Sequence, residues 1–250
     1  MNKNYIKKIW CTDLGLSPFS NNQFYNILEC IIIGWKLIPM PNRSEYKPHL
    51  VIYPLWENTF NKCMDSPLLL TPVKHKGIDL CVSYDEEKEN VHQITAYCSK
   101  IIELGKDIHS ATFISYLKEN FNNPNIKSNF LLQIKLFRLL YGIYLYLDKM
   151  ELAENIYTTL KYESCLWDKE IFYYWYGKLD TWIDSMSNLK NNREHFIANI
   201  QKNSKEKKIL SRSLKTIFQH KACTDKLYAD SFYKVQKNSH SSFEVICCCS

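Results

Sequence analysis

Two carboxylates and a lysine lie close together in the first half of the chain, at Asp79, Glu86 and Lys88. In hydrolytic enzymes carboxylates bind Mg²⁺ and a lysine can orient the attacking water, so these residue types could serve metal-dependent hydrolysis. Asp79 and Glu86 are too close along the chain to come from two neighbouring strands, however. We therefore expect no metal ion and no other cofactor.

The short motifs that mark other catalytic sites are missing from the sequence. It contains no glycine-rich phosphate-binding loop, no HExxH zinc motif, no GxSxG nucleophile turn and no CxxC pair. His49 and His75 lie near predicted strands and could transfer protons, but neither has a visible partner in the sequence. The sequence therefore favours binding over catalysis.

The last four residues have the outline of a prenylation box in which Cys247 would carry the lipid. Basic residues upstream would supply the second membrane signal that a single lipid chain needs. The two middle positions of such a box are aliphatic, whereas here both are cysteines. The alternative is an edge strand, because the side chains of residues 243–249 alternate as in a half-buried strand.

Four basic residues recur at intervals of three, four and three: Lys205, Lys208, Arg212 and Lys215. This spacing places them on one side of a helix predicted at residues 204–220. The stripe could contact phosphates, anionic lipid or an acidic protein surface. The alternative is a solvated lysine face on a helix of the core.

Aromatic and large apolar residues surround nearly the whole circumference of a helix predicted at residues 168–186. Such a helix is either central to the core or docks a partner. Tryptophan and tyrosine dominate binding energies in protein interfaces because they bury large areas at low entropic cost. The candidate partner-binding residues are Trp175, Tyr176 and Trp182, with Asp180 and Asp184 as an acidic rim.

Two kinds of structure must position these residues. All eight prolines lie at or before Pro124, whereas the second half has none and carries apolar residues at helical spacing. The sequence predicts an α+β fold, with a small, mostly antiparallel sheet and packed helices in the N-terminal half and an all-helical bundle in the C-terminal half. We expect subdomains at residues 1–124 and 125–250, or one continuous domain, with a linker at 122–129.

Strands are predicted where short apolar runs lie between prolines or glycines, at residues 49–53, 68–71 and 78–84. Ser17 or Ser20 could cap a helix that runs through Ile31 and ends at Gly34. Further helices are predicted at residues 91–102, 110–121, 130–147, 151–161, 168–186, 191–202, 204–220 and 224–235.

The first two helices after the linker carry small and aromatic residues where helices cross closely: Phe137, Leu140, Tyr144, Ala153 and Tyr157. These spacings resemble a single tetratricopeptide-type helical hairpin. No second copy follows at the same period, and one repeat cannot build a solenoid. The resemblance therefore implies the hairpin geometry alone.

The chain of 250 residues has a net charge of +6 that is concentrated near its C-terminus. Residues 188–237 include twelve basic and four acidic side chains, so an electrostatic partner should meet this part.

No apolar run is long enough for a secretion signal or a membrane span. The isolated cysteines are typical of reduced thiols, and we expect a cytoplasmic protein.

The sequence favours a protein that binds another protein, and the most concrete hypothesis is a bacterial immunity or antitoxin-like inhibitor that blocks a toxin domain. We expect no specific nucleic-acid partner, and a membrane partner only if Cys247 is lipidated. The alternative hypothesis is a secreted bacterial effector or viral accessory protein that reaches membranes through the basic helix and the C-terminal cysteines. A third is an enzyme whose site is assembled from residues far apart in sequence.

Overall fold

The computed structural model describes residues 3–102, 108–206, 215–216 and 218–219. Within them the strands are β1 (Ser17–Ser20), β2 (Gln23–Leu28), β3 (Ile31–Pro39), β4 (Glu45–Pro54), β5 (Leu69–Pro72), β6 (Lys74–His75), β7 (Ile78–Asp79), β8 (Val82–Ser83), β9 (Ile108–His109), β10 (Lys215–Thr216) and β11 (Phe218–Gln219). The helices are α1 (Lys3–Leu14), α2 (Phe60–Asp65), α3 (Lys88–Ile101), α4 (Ser110–Phe121), α5 (Pro124–Lys127), α6 (Phe130–Tyr146), α7 (Met150–Ser164), α8 (Lys169–Tyr176), α9 (Leu179–Asn191) and α10 (Arg193–Ser204). The fold is mixed α+β.

The central sheet has the strand order β1-β2-β3-β4-β5, and each neighbouring pair along this path is antiparallel. The edge of β2 opposite β3 pairs with two strands, β1 and β10. The edge of β4 opposite β3 likewise pairs with two strands, β5 and β8. The strands predicted at residues 49–53 and 68–71 are confirmed as parts of β4 and β5. The segment predicted at 78–84 forms two short strands, β7 and β8, instead of one.

The predicted helix between Ser17 and Gly34 is wrong, because this segment forms β1, β2 and the first part of β3. Residues 31–35 are all buried, so this strand is covered on both faces. Such a strand has a continuous apolar sequence, which periodicity cannot distinguish from a buried helix. Gly34 lies within the strand, where a Cβ atom would be 1.9 Å from the carbonyl oxygen of Phe24.

Most helices of the prediction are confirmed. Those predicted at 110–121 and 130–147 correspond to α4 and α6, and those at 91–102, 151–161 and 191–202 correspond to α3, α7 and α10 with ends that differ by a few residues. Helices α6 and α7 form the expected hairpin, with the Tyr141 and Tyr157 rings 6.1 Å apart. The expected linker at 122–129 contains α5, whose residue Ile126 is buried.

The helix predicted at residues 204–220 is wrong in its described part. Helix α10 ends at Ser204, while Lys215–Thr216 pairs with β2 and Phe218–Gln219 pairs with β9. The free backbone groups at the edges of β2 and β9 are satisfied by this pairing, which overrides the helical pattern of the sequence. The helix predicted at 224–235 lies outside the described residues.

Helix α1 packs against one face of the sheet through a buried aromatic cluster. The Trp10 ring lies 6.2 Å from the Trp35 ring and 6.3 Å from the Tyr46 ring, and Trp10 Nε1 donates a hydrogen bond to the Tyr46 hydroxyl at 3.2 Å. Helix α3 is joined to α1 through Asp13, which accepts a hydrogen bond of 2.5 Å from Thr95 Oγ1. This layer fixes the position of both helices on the sheet.

The helices of the second half meet the sheet at residues 55–58, immediately after β4. Trp56 is buried there, and its ring lies 5.7 Å from the ring of Phe196 on α10. On α6 the ring meets Gly142, where a Cβ atom would lie only 2.5 Å from it. A tryptophan from the sheet half thus inserts between two helices of the other half.

Two buried asparagines of α10 hydrogen-bond to the backbone of the same segment. Asn203 Nδ2 donates to the carbonyl oxygens of Leu55 at 2.9 Å and Glu57 at 2.7 Å. Asn199 Nδ2 donates to the carbonyl oxygen of Trp56 at 3.3 Å. Residues 1–219 accordingly form one compact unit.

We predict that Asn203→Ala lowers the free energy of unfolding by about 2 to 3 kcal/mol, because the buried carbonyl group of Leu55 and the part-buried one of Glu57 lose their donor. Urea unfolding followed by circular dichroism measures the change. The matched control is Asn188→Ala on the exposed side of α9, for which we expect a change within about 0.5 kcal/mol. Equal losses in the two variants would contradict the role of Asn203.

Thiol reactivity should separate the buried cysteines from the exposed ones. Burial raises the pKa of Cys63 to about 11 and that of Cys98 to about 12, and it also raises the pKa of Cys30. Cys81 and Cys165 are exposed. Because the thiolate is the reactive form, iodoacetamide at neutral pH should label the exposed pair first and the buried three only on unfolding. Peptide mass spectrometry resolves the sites, and early labelling of Cys98 would contradict the prediction.

Candidate functional site

Helix α8 is a short helix with well-defined ends. Asp168 precedes it and accepts hydrogen bonds through Oδ1 from the backbone N–H groups of Glu170 at 3.0 Å and Ile171 at 2.9 Å. Gly177 ends the helix with a φ of 78°, a conformation that glycine adopts without strain. The single helix predicted at 168–186 is therefore two helices, α8 and α9, separated at Gly177.

The inner side of α8 packs on a stack of aromatic rings. Phe172 is 1% exposed, and its ring is stacked with that of Trp167 at 6.0 Å and 12°. Trp167 is stacked in turn with Phe130 of α6 at 5.7 Å and 21°. Trp182 of α9 contacts Phe172 edge-on at 5.9 Å, and Tyr176 lies 5.3 Å from it. These contacts hold α8 against α6 and α9.

The outer side of α8 is apolar and open to solvent. Six of the nine exposed large hydrophobic residues that the structure describes lie within residues 162–175: Tyr162, Leu166, Ile171, Tyr173, Tyr174 and Trp175. Tyr174 is 80% exposed, and Tyr173 and Trp175 are each 63% exposed. We name the four of them that belong to α8, Ile171, Tyr173, Tyr174 and Trp175, the α8 surface. Concentrations of this kind on a folded protein mark interaction sites.

The α8 surface is convex. Successive residues of a helix are rotated by about 100°, so Tyr173, Tyr174 and Trp175 spread over about 200° of the helix circumference. Phe172 and Tyr176 cover the inner side of the helix. The Tyr174 and Trp175 rings nevertheless meet edge-on at 5.3 Å, so these two rings form one contact patch on the convex helix.

Unpaired carboxylates occur on α8 and on the neighbouring α9. Glu170, Asp180 and Asp184 are exposed, and none has a cation within ion-pair distance in the part of the chain that the structure describes. Glu170 precedes Tyr174 by one helical turn, so the two share a row on the outer side of α8. Lys169 and Lys178 are exposed at the two ends of the helix.

The structure separates the predicted partner-binding residues. Trp175 is exposed, whereas Tyr176, at the end of α8, is half-buried and packs against the half-buried Trp182 of α9. Asp180 and Asp184 are exposed on α9. The expectation of a central core helix is wrong for α8, since only Phe172 among its residues is buried. The sequence pattern missed Tyr162 and Leu166, which lie before the predicted helix.

The basic stripe is not one helical face in the described residues. Lys205 follows α10 directly, and Lys215 lies in β10. Lys208, Arg212 and Cys247 lie outside the described residues.

The carboxylates considered for a metal site have other contacts. Asp79 accepts a hydrogen bond from Lys47 Nζ at 3.0 Å, and Glu86 accepts one from Asn90 Nδ2 at 2.6 Å. No grouping of three His, Cys, Asp or Glu side chains suited to a metal ion occurs within the described ranges. Among the close pairs that sequence reasoning missed is His92 with Asp13 at 2.6 Å, which joins α3 to α1.

Among the helices that the structure describes, none has the length and apolar character needed to cross a membrane.

No protein-family model, no curated protein and no solved structure matches this chain.

We predict that Trp175→Ala and Tyr174→Ala each change the free energy of unfolding by less than about 1 kcal/mol, because their rings are mostly in solvent. Phe172→Ala, the matched control on the inner side of the same helix, should cost about 3 to 5 kcal/mol. Thermal melts of the three variants test this. A melting temperature for Trp175→Ala as low as that for Phe172→Ala would show that the α8 surface is structural.

Proposed function

We propose that this protein is a non-catalytic protein-binding module, with the α8 surface as its contact site. The observation that carries the proposal is the exposure of Tyr173, Tyr174 and Trp175 on a helix whose inner side is fixed by stacked rings. Large aromatic side chains that are rigidly held bind partners at a low entropic cost. Helices α6 to α10 act in this proposal as the bundle that holds α8 in position.

The shape of the α8 surface defines the kind of partner. Because the three rings spread around the helix, the partner should offer a groove lined with apolar side chains, into which α8 inserts as helices do in helix-in-groove complexes. The unpaired carboxylates of Glu170, Asp180 and Asp184 favour basic side chains at the rim of that groove.

The most concrete form of the proposal is a bacterial immunity or antitoxin-like inhibitor that acts in the cytoplasm by inserting α8 into a toxin domain. A one-to-one inhibitor needs a rigid contact surface and no catalytic group, and the α8 surface meets the first requirement. The described charges near α8 fit a toxin with a basic binding groove.

The alternative, a membrane-associated effector or viral accessory protein, depends on Lys208, Arg212 and Cys247. These residues lie outside the described ranges, so the alternative remains a hypothesis from the sequence.

The proposal predicts the behaviour of a double variant, Tyr174→Ala with Trp175→Ala. Immobilised wild-type protein should retain a partner from an extract of the source organism, and the double variant should lose it, since each ring contributes on the order of 2 kcal/mol to binding. Ile78→Ala is the matched control, because Ile78 is 75% exposed but lies on the β6–β7 hairpin. Isothermal titration with the purified partner measures both affinities.

The inhibitor form is tested by growth. The retained partner, expressed alone in bacteria, should arrest growth, and co-expression of the wild-type chain should restore it while the double variant should not. Unchanged partner affinity in the double variant would refute the α8 surface as the contact site. A harmless partner would refute the inhibitor form alone.

A further inference from the structure

A second polar cluster lies on the sheet at the end away from α6 and α10. Lys36 of β3 and His49 of β4 are directly opposite each other in the antiparallel register, and Lys47 precedes His49 by two residues. Alternation along a strand places Lys47 and His49 on the same face. All three side chains are half-buried. We name them the sheet cluster.

The hydrogen bond of His49 fixes its tautomer. His49 Nδ1 lies 3.0 Å from the carbonyl oxygen of Lys47. A carbonyl oxygen only accepts hydrogen bonds, so Nδ1 must carry the hydrogen atom. Nε2 is then the ring nitrogen that can take up a proton.

Positive charge in the sheet cluster is only partly neutralised. Lys47 Nζ pairs with Asp79 of β7 at 3.0 Å. Lys36 has no carboxylate partner within the described residues. Lys36 is therefore the member of the cluster whose charge no carboxylate balances, and an anion bound beside it would supply that balance.

The electrostatic surroundings of His49 are set by few groups. Burial lowers the pKa of His49; the Lys47 carbonyl and the Asp79 carboxylate oppose this effect, and the ammonium groups of Lys47 and Lys36 reinforce it. His49 is thus uncharged near neutral pH in the free protein. An anion bound beside it would favour the protonated ring, which then becomes a further donor.

The dimensions of the cluster suit one small anion. Opposite side chains in an antiparallel pair have Cβ atoms about 5 Å apart, and residues two apart along a strand are separated by about 7 Å. The Cβ atoms are thus close enough for the flexible lysine side chains and the His49 ring to converge on one tetrahedral oxyanion. A nucleic-acid strand would need a longer basic track.

We propose that Lys36, Lys47 and His49 form a binding site for the phosphate group of a small molecule. The site is separate from the α8 surface and goes beyond the protein-binding function. Phosphate suits it because a dianion can accept from two ammonium groups and from a protonated imidazole.

Nuclear magnetic resonance of the histidine rings tests the site in the full-length protein, with His49 assigned through His49→Gln. Inorganic phosphate should raise the pKa of His49 by about one pH unit and saturate, whereas sodium chloride of equal ionic strength should not. His75 and His92 serve as internal controls that should stay unchanged.

Variants and competing ligands complete the test. Lys36→Gln should weaken phosphate binding by about tenfold, Lys36→Arg should retain it, and Lys62→Gln on the exposed side of α2 should have no effect. Adenosine monophosphate should compete with inorganic phosphate. A rise in the pKa of His49 that sodium chloride reproduces, or that Lys36→Gln leaves unchanged, would overturn the proposal, as would binding of a single-stranded oligonucleotide without binding of either phosphate.

Discussion

The contact between residues 55–58 and α10 is the interaction on which the arrangement of the two halves depends. Trp56 fills the space above Gly142, and the amide groups of Asn199 and Asn203 satisfy the backbone of the same segment. Hydrogen bonds of this kind are directional, whereas apolar packing alone is not. The ring therefore supplies buried area, while the two amides determine the one position in which α10 can bind.

That constraint extends to the α8 surface through a short series of contacts. Helix α6 carries Gly142 at the junction and Phe130 at its first turn, where Phe130 stacks on Trp167. Trp167 supports Phe172, and Phe172 supports α8. The backbone of α8, which carries the exposed rings, is thus fixed relative to the sheet by packed side chains. A surface that is already ordered loses little entropy when a partner binds it.

Sequence patterns predicted the helices whose apolar residues face one side, such as α3, α4 and α7, because a 3.6-residue period is unambiguous there. They failed at residues 17–34, because strands that are buried on both faces show no alternation of apolar and polar residues. They also failed to separate Phe172 from Tyr174, since both are aromatic and only the position of α6 decides which one is covered. The break at Gly177 is a local glycine helix end that the sequence prediction overlooked. The pairing of β10 with β2 depends on tertiary contacts, and the cross-strand proximity of Lys36 and His49 depends on register.

The pairing of β10 with β2 has a consequence for synthesis on the ribosome. Ile27 and Leu28 emerge early, but their strand partners Lys215 and Thr216 emerge about 190 residues later. At ordinary elongation rates of 5 to 20 residues per second this interval is about 10 to 40 s. Through that time the Ile27–Leu28 end of the β2 edge offers unpaired backbone groups to other nascent chains, a known route to aggregation. The yield of native protein should consequently depend on translation speed and on chaperones that shield this edge.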